Sequence, residues 1–225
     1  MFELELNEED YKLNQVNNGP GGRFYQDPEE NKYYSITNVL SILSAAGIAK
    51  WRARVGEEEA NRVSRTAAGR GNEVHDLLES YILNEFEEGK TYLDKWSLIA
   101  KSNFRDIKPI IDDKLTKVYA TEKRMYSKHL GVAGTVDCVG VWDGKISIID
   151  WKTSAKFKKK EWISSYFMQA CAYAIMWEER TGQPITQLVV AIAGDAGPQI
   201  FVEHRDHWDG QLISVINDFK SRKNS

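Results

Sequence analysis

The stretch GTVDCVGVWDGKISIIDWKTS, residues 134–154, decides how this chain is read. Two acids, Asp137 and Asp150, stand in apolar runs, and Lys152 follows the second acid by two residues. The runs VDCVGVW and KISIIDWK are rich in Val, Ile and Trp, which suit strands. Between them, Asp143-Gly144 is a strong signal for a two-residue type I′ turn. With those two residues as the loop, Trp142 faces Lys145. Counting outward then sets Asp137 opposite Asp150 and Thr135 opposite Lys152. Side chains alternate along a strand and facing residues share a side, so Asp137, Asp150 and Lys152 are expected on one face. The Cβ atoms of the two acids should lie about 4.5–5.5 Å apart. Val139, Val141, Ile146 and Ile148 fall on the same face, which is therefore apolar with the acids at its end. A β-bulge within the hairpin would break this register.

Like charges directly opposite one another destabilise a sheet, so something positive must compensate. Lys152 supplies one charge. A divalent cation supplies two more, and carboxylate oxygens suit Mg²⁺ or Mn²⁺. A metal between two carboxylates polarises a phosphate and lowers the pKa of a bound water, the chemistry of phosphodiester hydrolysis. Lys152 is then placed to orient that water or to stabilise the pentavalent charge. The alternative is an exposed hairpin face with solvated acids, and the apolar remainder of the face speaks against it.

The chain has 225 residues, 42% hydrophobic and 28% charged, which fits one large globular domain. No apolar run reaches membrane-spanning length. The start, MFELELNEED, is acidic and unlike a signal peptide, so cytosolic residence is the simplest reading. Cys138 and Cys171 are the only cysteines, which excludes a disulfide framework and a four-cysteine iron–sulfur cluster within the chain. A net charge of −3 gives no global pull toward nucleic acid, so any polyanion site must be a local patch.

Residues 1–34 read as loop and short strands broken by NNGPGG. YYSITNVLSILSAAG reads as a short helix, capped by Ser35 or Thr37 and ended by Gly47. A helical region follows, with Val74, Leu77, Leu78, Tyr81 and Ile82 as its apolar stripe. A third helix is expected over about 93–115, with Trp96, Ile99, Ile107 and Ile111 inward and a kink near Pro109. KVYATEKRMYS reads as a strand before the hairpin, and EWISSYFMQACAYAIMWEERTG as a long helix closed by Gly182. TQLVVAIAG and QIFVEH are two more strands, and a last helix runs from about Asp206 to Lys220. This order predicts an α/β class with a mixed sheet flanked by helices, the earlier helices forming an N-terminal lobe over one end of it. The expected organisation is one domain over 1–225, with 1–115 mainly helical and 116–225 carrying the catalytic sheet.

Other residues invite a chemical reading. Glu122 reads equally as a surface acid in TEKR and as an acid that helps hold a metal. His75, in GRGNEVHDLLES, reads by periodicity alone as a solvated or core-edge residue. Gly69, Arg70 and Gly71 before it suggest a helix start whose free N–H groups face an anion. Gln169 and Tyr173 share a helix face, in a stripe with Trp162, Tyr166 and Trp177. A Gln inside that stripe needs a polar partner. KFKKKEW places Lys156, Lys158, Lys159 and Lys160 directly after the Asp150 strand, together with an aromatic, where a nucleic-acid backbone is at least as good a reading as a solvated loop.

Taken together, these residues resemble the PD-(D/E)xK nuclease superfamily in its RecB-like exonuclease branch. The resemblance lies in GRGNEVH, GTVD, IIDWK and QACAY, in that order. YYSITNVLS also resembles the entry to the helical part of the mitochondrial genome maintenance exonucleases and related phage enzymes. It implies a restriction-endonuclease-like core sheet and DNA cleavage dependent on Mg²⁺ or Mn²⁺. Asp137, Asp150, His75 and the Trp151 carbonyl would hold metal, and Lys152 would be catalytic. Gln169 and Tyr173 would position the substrate strand; Arg70 and the lysine run are read, from their own charge, as further DNA contacts. The implied partner is DNA, above all single-stranded DNA, with replication or recombination proteins beside it and no membrane. Relatives that carry an iron–sulfur cluster use four cysteines, a feature this chain lacks. An endonuclease of the same superfamily and a non-catalytic DNA-binding module are the other readings. The complete acid–acid–lysine set argues against the module.

Overall fold

The computed structural model of the protein describes residues 1–19, 22–85 and 95–224. Part of the NNGPGG segment, and the stretch where the third helix was expected to begin, lie outside the described residues. The strands are β1 (Glu3–Leu4), β2 (Asn14–Gly19), β3 (Gly22–Gln26), β4 (Lys32–Ser35), β5 (Leu115–Ser127), β6 (Val132–Trp142), β7 (Lys145–Ser154), β8 (Gln187–Gly194) and β9 (Gln199–His204). The helices are α1 (Ile36–Ser41), α2 (Ala45–Val55), α3 (Glu57–Ile82), α4 (Leu98–Lys114), α5 (Ser164–Thr181) and α6 (Asp209–Asn224). The strands form one mixed nine-stranded sheet in the order β2-β3-β4-β6-β7-β8-β9, with β5 on β6 and β1 on β5. No helix of the described residues is long and apolar enough to cross a membrane.

The β6–β7 hairpin forms as its sequence predicts. Trp142 pairs with Lys145, and the ladder continues to Cys138 opposite Ile149. Asp143 and Gly144 both take positive φ, 52° and 77°, as a type I′ turn requires. The ladder stops there, one residue short of the expected Asp137–Asp150 pair, and Thr135–Lys152 is likewise unpaired. The reason lies in the far end of β6. Its first two residues, Val132 and Ala133, pair with β4, while β5 lines the opposite edge from Val132 to Trp142. A strand has two edges, so β4 and β7 share one of them. Residues 134–137 lie in the interval between, where the sheet opens.

Strand alternation also slips at this place. Val136 and Val139, three residues apart, enter the same core cluster, as do Ala120 and Met125 on β5, five residues apart. Between the latter two lies Glu122, at a φ of 42° that is uncommon for a residue with a side chain. Simple alternation therefore does not run unbroken from Val139 to Val136, and Asp137, between them, is connected to β7 through its side chain.

Helices cover both faces. α5, α1 and α6 pack with Val139, Ile148, Val190 and Ile192 on one side. α3 and α4 pack with Cys138, Ile149, Trp151 and Val189 on the other, through Val74, Leu77, Leu78, Ile107 and Ile111. Trp96 is buried there as expected, but it precedes α4, which starts after the cap Ser97 and runs on through Pro109; Ile99, expected inward, is exposed. Gly47 does not end a helix: α1 stops at Ser41, and Gly47 lies within α2. Ser35 precedes α1 without capping it and instead accepts a hydrogen bond from Arg23 Nε at 3.1 Å. Gly182 closes α5 in the left-handed conformation, as predicted. Trp162 is not part of α5, because the chain makes a separate 3₁₀ turn over 160–162 first.

Candidate active site

Three elements meet at the stretch of β6 where the ladder to β7 has ended. Asp137 lies on β6 itself, Glu122 on β5, and His75 comes down from α3. His75 Nδ1 is 3.6 Å from Glu122 Oε1 and 3.9 Å from Asp137 Oδ1, and the three ligand atoms lie within 4.8 Å of one another. The other ring nitrogen, Nε2, meets the Trp151 carbonyl at 2.9 Å. A proton on Nε2 donated to that carbonyl leaves the Nδ1 lone pair facing the two carboxylates, which is the tautomer that binds a metal. Trp151 holds the second group too: its N–H donates to Asp137 Oδ2 at 2.8 Å, in place of a ladder bond across the opened sheet.

Asp150 and Lys152 stand beside this trio. Asp150 is fully buried, and Lys152 Nζ lies 2.6 Å from its Oδ2. Among the described residues, no partner other than Lys152 meets either oxygen of Asp150. A buried carboxylate left in this condition is costly unless a further cation or donor meets it. Burial and the neighbouring Asp150 charge push the Asp137 carboxyl up to about 7. Burial also raises Asp150, against the pull of Lys152. Burial disfavours the ammonium of Lys152, yet the two aspartates outweigh it and its pKa rises. His75 follows the same pattern: burial lowers it, and the neighbouring Glu122 and Asp137 carboxylates raise it overall. Carboxylates outnumber cations here, which favours a bound cation.

The donor set fits a divalent ion. An octahedral ion with ligands at about 2.1 Å sets them roughly 3.0 Å apart when adjacent and 4.2 Å when opposite. The 3.6 and 3.9 Å separations from Nδ1 fall between those limits. His75 and Glu122 line a cleft of ≈ 650 Å³ between α3 and the sheet, together with Asn72, Asp76, Glu79, Arg124 and Thr135. Acids and a lysine gathered at one place are what the motif order in the sequence implies; the opened ladder beside them was not expected. The superfamily model for PD-(D/E)XK nucleases matches residues 44–219. The chain belongs to the PD-(D/E)XK nuclease superfamily. A human relative, mitochondrial genome maintenance exonuclease 1, is 28% identical over 201 residues, covering 83% of this chain and 55% of its own length. The chain thus spans little more than half the length of that relative.

The remaining expected residues are distributed as follows. Gln169 Nε2 donates to the Tyr173 hydroxyl at 3.2 Å, so the two form one unit. Tyr173 is buried against Gly134, where a Cβ would come within 2.8 Å of its ring. Tyr166 places its ring 5.3 Å from Lys152 Nζ. Arg70 does not stand at a helix start: α3 is continuous from Glu57, so Gly69, Arg70 and Gly71 are mid-helix and their N–H groups are spent. Its guanidinium pairs with Asp195 at 3.0 Å. Of the lysine run, Lys160 pairs with Glu203. Lys156, Lys158 and Lys159 have no ion-pair partner among the described residues. Glu79, absent from the expected set, lines the cleft one helical turn beyond His75, and burial and the Glu122 charge raise its pKa. Its i+4 spacing from His75 was the available signal.

Proposed function

We propose that this chain is a divalent-metal-dependent DNA exonuclease that prefers single-stranded ends and uses Mg²⁺ or Mn²⁺, acting in replication, recombination or repair. The supporting observation is the convergence of His75, Glu122 and Asp137 within 4.8 Å, next to the buried Asp150–Lys152 pair. In this reading His75 (through Nδ1), Glu122, Asp137 and Asp150 hold the ion, and the Trp151 carbonyl, on the opposite side of the imidazole, orients His75 instead of joining the ligands. The bound ion supplies Lewis-acid polarisation of the phosphate and an acidified water. Lys152 carries the positive charge that offsets charge developing on the phosphate. Trp151 fixes the orientation of Asp137 and His75 together. Gln169 faces the substrate strand, and Tyr173, held by Gly134, keeps Gln169 in place. Arg70 and the unpaired lysines add phosphate contacts.

The test is digestion of linear and covalently closed circular single-stranded DNA in Mg²⁺ or Mn²⁺. Linear strands should disappear and circles persist, and chelator should stop the reaction. Cleaved circles would make the protein an endonuclease. Undiminished activity in excess chelator would remove the metal from the mechanism.

A further inference from the structure

The loop between β7 and α5 exposes two large aromatic rings that the proposed chemistry does not use. Phe157 is 60% exposed and Trp162 is 61% exposed. Single exposed apolar residues are ordinary on protein surfaces. These two are unusual because the loop presenting them is tied down. Lys158 N donates to Gln199 Oε1 at 2.7 Å, and Gln199 Nε2 donates back to the Lys158 carbonyl at 2.8 Å. Gln199 is itself buried. Ser154 Oγ donates to the Lys156 carbonyl at 2.6 Å, and Trp162 N donates to the Lys159 carbonyl at 3.0 Å. Ile163, next to Trp162, is fully buried and anchors the turn. The rings are therefore held out on a fixed support.

The surroundings specify what they meet. Lys159 Nζ lies 5.4 Å from the Trp162 ring centroid, within cation–π range. Lys156, Lys158 and Lys159 lack carboxylate partners among the described residues, so the patch is cationic as well as aromatic. The loop leaves β7 just past Lys152 and enters α5 just before Tyr166, whose ring already touches Lys152. We propose that Phe157 and Trp162 are a stacking platform for unpaired bases of the DNA strand on its way to the site. Lysines that pair with phosphates beside rings that stack on bases is the pattern by which proteins hold single strands without reading sequence. A duplex keeps its base faces covered, so the platform would favour single strands. This inference rests on the nuclease reading above and names the substrate feature it selects.

The experiment is equilibrium binding in Ca²⁺ of a single-stranded oligonucleotide and of the same backbone with a run of abasic positions. It compares the native protein with Phe157→Ala, Trp162→Ala and the double variant. Native protein should bind the base-bearing strand more tightly by about 5- to 150-fold per stacked base. The double variant should lose most of that preference while its affinity for the abasic strand and its salt slope stay as in the native protein. Trp162→Tyr should restore much of the preference, and melting temperatures should be unchanged because both rings are largely exposed. Equal affinity of the native protein for the two strands, or full preference retained in the double variant, would overturn the platform. Cleavage of a linear strand in Mg²⁺ is read in parallel: failure there removes the nuclease reading, while the binding comparison still decides the stacking.

Discussion

The two ends of the β6–β7 hairpin are made from similar residues and behave in opposite ways. At the turn end, Trp142 to Cys138 pair one for one with Lys145 to Ile149, the turn glycine has free space around it, and nearby side chains enter the two cores. At the other end the ladder is abandoned, alternation slips, and a buried carboxylate is left without hydrogen bonds. The first end is locally consistent and contributes stability. The second departs from sheet rules at several points, and those departures create the space that α3 and β5 fill with His75 and Glu122. Local inconsistency of this kind is where function is expected to sit.

Four substitutions test that contrast, beginning with the largest expected effect. Lys152→Ala, at the open end, should lower kcat by about 10²–10³ with little change in DNA affinity, because one electrostatic stabiliser of the transition state is lost. Single-turnover kinetics beside a binding titration would show it, and a fully active variant would break the assignment. His75→Ala should weaken divalent-ion affinity at least about 10-fold, measured by calorimetric titration, without lowering the melting temperature in proportion. A lower melting temperature with unchanged ion affinity would make His75 a packing residue.

Gly134→Ala sharpens the comparison, since its Cβ would meet Tyr173 and Ile36 at 2.8–3.0 Å. Forcing an extra methyl into packed surroundings costs about 1–3 kcal/mol, and here the displaced ring carries Gln169, so chemical denaturation and turnover should suffer together. Gly144→Ala should show the smallest effect. No heavy atom crowds that site, and only the positive φ of 77° resists a side chain, at roughly 1–2 kcal/mol. Activity per folded molecule should remain native. Loss of turnover in Gly144→Ala at full stability would mean that the two ends are coupled through β7.

Several features were legible because the residues that cause them are adjacent in the chain. Asp143-Gly144 specifies its own turn and thereby the register of the hairpin, and Gly182 ends α5 by the conformation only glycine adopts cheaply. Other readings failed where a neighbour in sequence was not the neighbour in space. Gly47 carries no stop signal strong enough to prevent α2 from running through it, and GRG became mid-helix because the favourable residues on either side propagate the helix. Trp162 fits the spacing of the α5 stripe, but the chain turns before the helix begins and the ring faces outward.

Sequence alone determined the hairpin, the short-range partnership of Asp150 with Lys152, the Gln169–Tyr173 pair and the mixed class of the fold, since each depends on strand or helix periods acting over a few residues. The tertiary structure decided which edge of β6 opens, how β4 and β7 divide that edge, and that His75 and Glu122 reach Asp137 from separate elements. It also decided that Trp151 would lend its N–H to Asp137 and its carbonyl to His75. Those outcomes depend on groups far apart in the chain. Their approach is set by how apolar faces of whole elements bury against one another, and no local period encodes that.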